Sequence, residues 1–212
     1  MQIDDAVIRP KIVFVTDPMC SWCWGMAADV ERARTEAADR FDFDVLLGGI
    51  NIGSTHPITD FARSRLASVW RGVNEVTHVQ FGRGLPAGDF VYNSVRACVA
   101  VEAVRAILGR PPFDYVLRLQ HRFFVDGRDV TDVDLQRDEA VASGVPAEDF
   151  DAAVQSPQTM TRVRDGFALA KSYGTAALPS VLLELDGARR LVAGGFIDAP
   201  TLIAAVDRLV GW

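Results

Sequence analysis

The sequence predicts an α/β fold in which a β-α-β unit and a later α-β-β-α unit bracket a large block of helices. Three observations predict it. Short β-branched and aromatic runs stand near both ends of the chain, helix-like segments fill the middle, and Gly, Pro or Asn/Asp signals separate the segments. The bracketing parts are residues 9–55 and 156–212, one domain in two pieces, and the inserted helical domain is residues 56–155.

Each element has its own signal. "KIVFVT", from Lys11, reads as a buried strand, and the following "DP" turns the chain. From Cys20 to about Asp39 the sequence is Ala-rich and predicts one helix. "FDFDVLLGGI" alternates and then runs apolar, as a second strand does, and ends at Gly48-Gly49. These two glycines either end the strand or permit a close backbone approach. A β-α-β unit of about 40 residues suits a right-handed parallel crossover. The block then reads as five helices: "ITDFARSRLASVWRG", "NSVRACVAVEAVRAILG", "PFDYVLRLQHRFFVDG", "DLQRDEAVASG" and "AEDFDAAVQ". Pro112 fits a first turn, Gly109 and Gly127 fit helix ends, and Ser and Asp stand where caps are wanted. "SPQTMTRVRDGFALAKSYG" is a further helix ending at Gly174. "LPSVLLEL" and "RRLVAGG" are strands joined by a "DGAR" turn of the Asp-Gly hairpin type. "APTLIAAVDRLV" closes the chain as a helix, with Pro200 in its first turn.

Composition narrows the function classes. The 212 residues are 49% hydrophobic and 24% charged, enough to bury a sizeable core. Net charge is −6, from 22 basic and 28 acidic residues, with no Lys/Arg run or basic amphipathic stretch. That argues against nucleic acid and membrane surfaces as partners. The N-terminal "MQIDDAVIRPK" is acidic and lacks the basic start and apolar core of a signal peptide. No apolar run approaches the roughly 18 residues of a membrane span. The expectation is a cytoplasmic protein, where stable structural disulfides are uncommon.

The chemistry lies in "FVTDPMCSWCWGMAADV". Cys20 falls at the start of the first helix, where unpaired N–H groups and the helix dipole stabilise a thiolate. Cys23 lies one turn on, close enough to resolve a mixed disulfide at Cys20. Cys20 is therefore expected as the exposed, attacking thiol and Cys23 as the sheltered one. Pro18 keeps the approach out of the helix, and Trp22 and Trp24 are candidates to shield the pair and line a substrate groove. Zinc is the competing reading, but a structural site takes four ligands. The other cysteine is Cys98, and His56, His78 and His121 lack H-x₃₋₅-H spacing. Two ordinary buried thiols would leave the strand-to-helix location unexplained.

"DPMCSWCWG" followed by an Ala-rich helix resembles the active-site segment of the DsbA-like family. The likeness is to the subgroup of predicted protein-disulfide isomerases related to FrnE-type proteins. "LLGGI", "YNSVRACVAV", "QHRFFVDGRDVTD" and "GTAALPS" resemble that subgroup's successive blocks, so the likeness covers most of the chain. It implies a thioredoxin fold with a large all-helical insertion, the element order derived above. It also implies catalytic roles for Cys20 as attacking cysteine, Cys23 as resolving cysteine and Pro179 as a cis-proline beside them. The backbone of Leu178 would bind an extended substrate. The implied activity is thiol–disulfide exchange on proteins, peptides or small molecules through a mixed disulfide. The direction, whether oxidase, reductase or isomerase, stays open. The cysteine pair is its own redox unit, so no metal or organic cofactor is required, and glutathione is a candidate electron partner. Two departures stand out. Ser-Trp separates the cysteines where the strongly oxidising periplasmic members carry Pro-His, and Ala177 stands where many thioredoxin-like chains have Gly.

Other classes compete. Kappa-class glutathione transferases and hydroxychromene-carboxylate isomerases share the helical insertion, but typically carry serine where Cys20 stands. A non-catalytic binding module would tolerate loss of either cysteine. Cys98, in "NSVRACVAVEAVRAIL", is expected to pack, as free cysteines do. "FFVDGRDVTD" lacks the ligand spacing of an EF-hand and reads as a capped helix connection. Trp70, Phe81, Phe90, Phe123 and Phe124 are expected in the core.

Overall fold

The computed structural model describes residues 9–174 and 177–212. The N-terminal "MQIDDAVI" and Thr175-Ala176 of the "GTAALPS" segment lie outside the described residues. Strand β1 (Lys11–Thr16) pairs parallel with β2 (Asp42–Leu47), from Lys11 opposite Asp42 to Thr16 opposite Leu47. Its other edge pairs antiparallel with β3 (Ser180–Leu185), which in turn pairs antiparallel with β4 (Ala188–Gly194). The order β2-β1-β3-β4 puts β1, which leads into the cysteine pair, inside the sheet. Asp186 and Gly187 both have positive φ (52° and 74°), the backbone a tight hairpin needs to match strand twist.

Alternation along β1 divides the packing. Ile12 and Phe14 enter the main core, while Val13 and Val15 join Leu182 and Ala170 in a smaller one on the opposite face. A strand covered on both faces is a continuous apolar run, as "IVFV" is.

The segment after β1 forms two helices, not the single helix the sequence predicts. These are α1 (Ser21–Gly25) and α2 (Ala27–Glu36), with Met26 between them. The Met26 N–H is shared between the carbonyls of Trp22 and Cys23, tightening the last turn of α1. Gly25 lets α1 sit close to α3 (Asp60–Thr77), because a Cβ there would fall 2.8 Å from Val73 Cγ1. Helix α3 runs past Gly72, where the sequence reading ends it, to a left-handed cap at His78. One interior glycine costs about 1 kcal/mol, which burial of Trp70 and Val73 outweighs.

The remaining helices are α4 (Val95–Leu108), α5 (Phe113–Phe124), α6 (Val133–Ala142), α7 (Ala147–Gln155), α8 (Pro157–Ser172) and α9 (Ala199–Val210). Pro112 flanks α5 as its N-cap and lies outside the first turn. Gly109 closes α4 in the left-handed region, and the Asp132 carboxylate caps α6. In α4 every residue from Ala97 to Val104 is buried, Cys98 completely. This helix packs against α5, α7 and α8 and is the centre of the helical part. The five aromatics of the sequence reading gather in the core. Trp70 stacks on Phe81 at 5.0 Å, and Phe123 meets Phe124 edge-on at 4.9 Å. Among the described residues no helix is long and apolar enough to cross a membrane.

Candidate active site

After β1, the chain turns through Asp17, Pro18 and Met19, and the Cys20 N–H donates to the Asp17 carbonyl at 3.2 Å. Cys20 is the N-cap of α1, with extended backbone (φ −90°, ψ 115°). Its Sγ accepts the Cys23 N–H at 3.3 Å, satisfying one of the donors that a helix start leaves unpaired. That capping contact folds the side chain back over the first turn. Cys20 is consequently only 5% exposed, against the expectation of an exposed thiol, and Cys23 is 3% exposed. What separates the two is the space each faces. Cys20 lines an open cavity of about 970 Å³, whereas Cys23 faces a void of about 40 Å³ behind the helix, beside Thr16 and Gln120. Burial pushes the Cys23 thiol well above its usual pKa. The hydrogen bond and charge of Cys20 add to this, and a hydrogen bond with Thr16 opposes it.

The Asp17 carboxyl, three residues before Cys20, is wholly buried. It accepts the Met19 N–H at 2.7 Å and the Ser94 hydroxyl at 2.6 Å, and the Cys98 thiol points at it from 3.5 Å. Ser94 in turn accepts the Ile50 N–H at 2.8 Å. Burial raises the Asp17 pKa to about 6, against the opposing pull of these hydrogen bonds. Two more contacts fix the turn from outside. The Tyr92 hydroxyl donates to the Met19 carbonyl at 2.7 Å, and the Gln120 amide to the Asp17 carbonyl at 3.3 Å. Loss of solvent pushes the Tyr92 hydroxyl pKa far up, so it stays a donor.

The cavity wall opposite the pair comes from three places. Gly48 and Gly49 follow β2, Leu178 precedes Pro179, and α8 contributes Arg164, Phe167 and Lys171. The Leu178–Pro179 peptide bond is cis, and Leu178 shares the cavity with Cys20. Both readings of the glycine pair apply. The β2 strand ends at Leu47, and a Cβ on Gly48 would lie 2.6 Å from Leu178 Cδ2. Trp22 lines the cavity and Trp24 does not. Two residues apart is about 200° around a helix, so Trp24 points into the helical part. There it stacks on Phe124 and donates to the Gln80 carbonyl at 3.0 Å. Among the described residues no cluster of three or more His, Cys, Asp or Glu is arranged to hold a metal ion.

Sequence reasoning passed over Asp17, Tyr92, Ser94 and Gln120. Asp17 carried a local signal, a carboxylate ending an apolar strand directly before the cysteines, whereas Tyr92, Ser94 and Gln120 stand in the family-like blocks "YNSVRACVAV" and "QHRFFVDGRDVTD" with nothing local to tie them to the cysteine turn. The others act from 73 to 103 residues away in the chain.

Comparison with known proteins bears on this arrangement. A candidate protein disulfide isomerase from Nitrosomonas europaea is 27% identical, with a TM-score of 0.87 over 96% of this chain and 98% of that one. The cytosolic disulfide reductase DsbM of Pseudomonas aeruginosa shares the fold, at 22% identity and a TM-score of 0.78 over 95% and 98% of the two chains. The ClpXP adapter protein SpxH of Shouchella clausii is 24% identical over 149 residues, 69% of this chain. The match spans about half of that relative's length, 48%. Residues 11–196, which include both cysteines, Asp17 and the cis-proline, match the model of the DSBA-like thioredoxin domain, and the chain belongs to that family.

Proposed function

We propose that the protein is a thiol–disulfide oxidoreductase in which Cys20 attacks, Cys23 resolves and the Pro179 turn presents the substrate. The observation that carries this reading is Cys20 at the helix start, lining the large cavity, with Cys23 closed off behind it. In the reducing direction, the Cys20 thiolate attacks one sulfur of a substrate disulfide. A Cys20–substrate bond forms, and the other substrate sulfur leaves as a thiolate that takes a proton from solvent. Cys23 then attacks Cys20 Sγ, forming the Cys20–Cys23 disulfide and releasing the second substrate thiol. Two electrons pass from the pair to the substrate, and the reverse sequence oxidises a substrate dithiol.

The surroundings of Cys23 support this order of steps. The charge on Cys20 helps hold the Cys23 proton in place. Once Cys20 is tied up in a mixed disulfide that charge is gone, and Cys23 gives up its proton more readily. Leu178 and Trp22 form the walls against which the substrate chain would lie. A neighbour of the same fold was solved with glutathione and is described as cytosolic, which supports glutathione as electron partner and a cytoplasmic setting.

The test is a redox titration in glutathione buffers with thiols counted by mass spectrometry. A single two-electron transition joining Cys20 to Cys23 is expected, abolished in Cys20→Ser and in Cys23→Ser. A wild-type protein that never forms the Cys20–Cys23 disulfide would overturn the reading. So would a Cys20→Ser variant that still reduces disulfides at the wild-type rate.

A further inference from the structure

The Cys20 cavity has a second chamber. A cavity of about 530 Å³ under α3 shares Asn51 and Tyr92 with the larger one, so the two adjoin, and together their linings extend from Leu178 and Cys20 to the face of α3. Their charged linings are of one sign. Arg164 and Lys171 line the first chamber and Arg65 the second, and among the described residues neither lining contains an Asp or Glu. Arg164 and Lys171 are seven residues apart on α8, which puts them on one face about 10 Å apart along the helix. None of the three forms an ion pair among the described residues. The cavity beside β2 and α4, by contrast, mixes signs, setting Lys11, Arg105, Arg110 and Arg162 against Asp42 and Asp44. The whole chain carries −6, so a cationic groove reflects placement, not composition.

The rest of the lining suits an extended chain. Phe167 and Leu178 in one chamber, and Ile58, Leu66 and Val69 in the other, offer apolar contact between the charges. Free cations in a partly enclosed groove attract carboxylates more strongly than the same cations on open surface, because fewer waters screen them.

We propose that the groove selects acidic polypeptide substrates, in which the reacting cysteine is flanked on both sides by Asp or Glu. The cysteine sulfur lies over Cys20, carboxylates on one side meet Arg164 and Lys171, and those on the other side meet Arg65. This rests on the thiol–disulfide reading above and names its substrate class. Arg65 is the discriminating residue. A small anionic disulfide seated beside Cys20 fills the first chamber, and only a longer chain reaches the second.

The test uses the reduced full-length protein in single-turnover mixing with synthetic peptide disulfides that differ only in their flanking residues, all Glu or all Lys. Released peptide thiol is measured, with hydroxyethyl disulfide and glutathione disulfide run alongside. The Glu peptide is expected to react roughly tenfold faster than the Lys peptide, with the ratio collapsing toward one in molar salt. In Arg164→Glu/Lys171→Glu the ratio should invert, a result that a merely misfolded variant, slow toward both, does not give. In Arg65→Glu the Glu peptide should slow relative to glutathione disulfide. Equal rates for the two peptides, with hydroxyethyl disulfide still reduced, overturn the acidic-substrate inference and leave the exchange reaction standing. A Glu peptide and glutathione disulfide equally indifferent to Arg65→Glu overturn the polypeptide assignment in favour of a small anionic thiol. A wild-type protein inert toward hydroxyethyl disulfide overturns the exchange reading itself.

Discussion

Asp17 shows how much one buried group sets. Its folded pKa of about 6 lies above the 3.8 of an unperturbed aspartate, so the folded chain holds that proton more tightly than the unfolded chain. Stability is therefore unpenalised below about pH 4, falls as pH rises through the window up to about 6, and carries the full cost above it. That cost is on the order of 3 kcal/mol. Melting curves at pH 4.5 and 7.5 should show a drop in wild type that Asp17→Asn lacks; parallel pH slopes would count against it. Cys23 leads to a second expectation, since burial keeps it a thiol. Iodoacetamide at neutral pH should modify Cys20 first, with Cys23 following only at alkaline pH and Cys98 only on unfolding; mass spectrometry reads the order. Cys98 is wholly buried and its pKa is also raised, first by loss of solvent. Cys98→Ala should retain disulfide reduction while losing about 1 kcal/mol to the small cavity, seen in urea melts. A fall in activity matching Cys20→Ser would show that Cys98 takes part in turnover.

Among the elements, the contact of α1 with α3 is the tightest constraint near the site. Gly25→Ala would drive a methyl group into Val73 and Thr77, both β-branched and stiff at χ1. A loss of about 1–3 kcal/mol follows, visible as a lower Tm. Gly48→Ala meets the Leu178 side chain, Cδ2 at 2.6 Å, Cδ1 at 2.8 Å and Cγ at 3.2 Å, and a change of Leu178 rotamer can relieve the contact. That variant should keep most of its stability and lose disulfide-reducing activity, since Leu178 forms a wall of the cavity. The reverse pattern in the two variants would mean the glycines have been misassigned. These elements also show where sequence reading ends. "KIVFVT", the Asp-Gly hairpin and the Pro200 helix have signals within a few residues, and each is found where those signals put it. The break at Met26 has only Gly25 before it as a local signal, weak in an Ala-rich run. What the glycine serves is a close approach to a helix that begins some 35 residues later in the chain, at Asp60.

Across the whole molecule the same division holds. The cysteine pair was legible because its chemistry is local, a thiol one turn from another at a strand-to-helix junction. In the opposite wall of the cavity, Gly48-Gly49 was legible as a strand end or close approach, whereas Pro179 and Leu178 were legible through family likeness. The cations of the groove were not legible at all. Arg164 and Lys171 look, in sequence, like any solvated helix face, and only the path of α8 across the sheet end turns them toward Cys20. Least visible were the supports of the cysteine turn, Tyr92, Ser94 and Gln120, which come from the helical part of the chain. Their position has a temporal consequence. Gln120 follows Asp17 by 103 residues, so at about 5–20 residues per second a ribosome delivers it roughly 5–20 s after the cysteines. For that interval the nascent chain carries both thiols without their clamp, equally open to any oxidant. The helices between the two halves of the sheet thus act as a clock, and the pair acquires its division of labour only when they have been made.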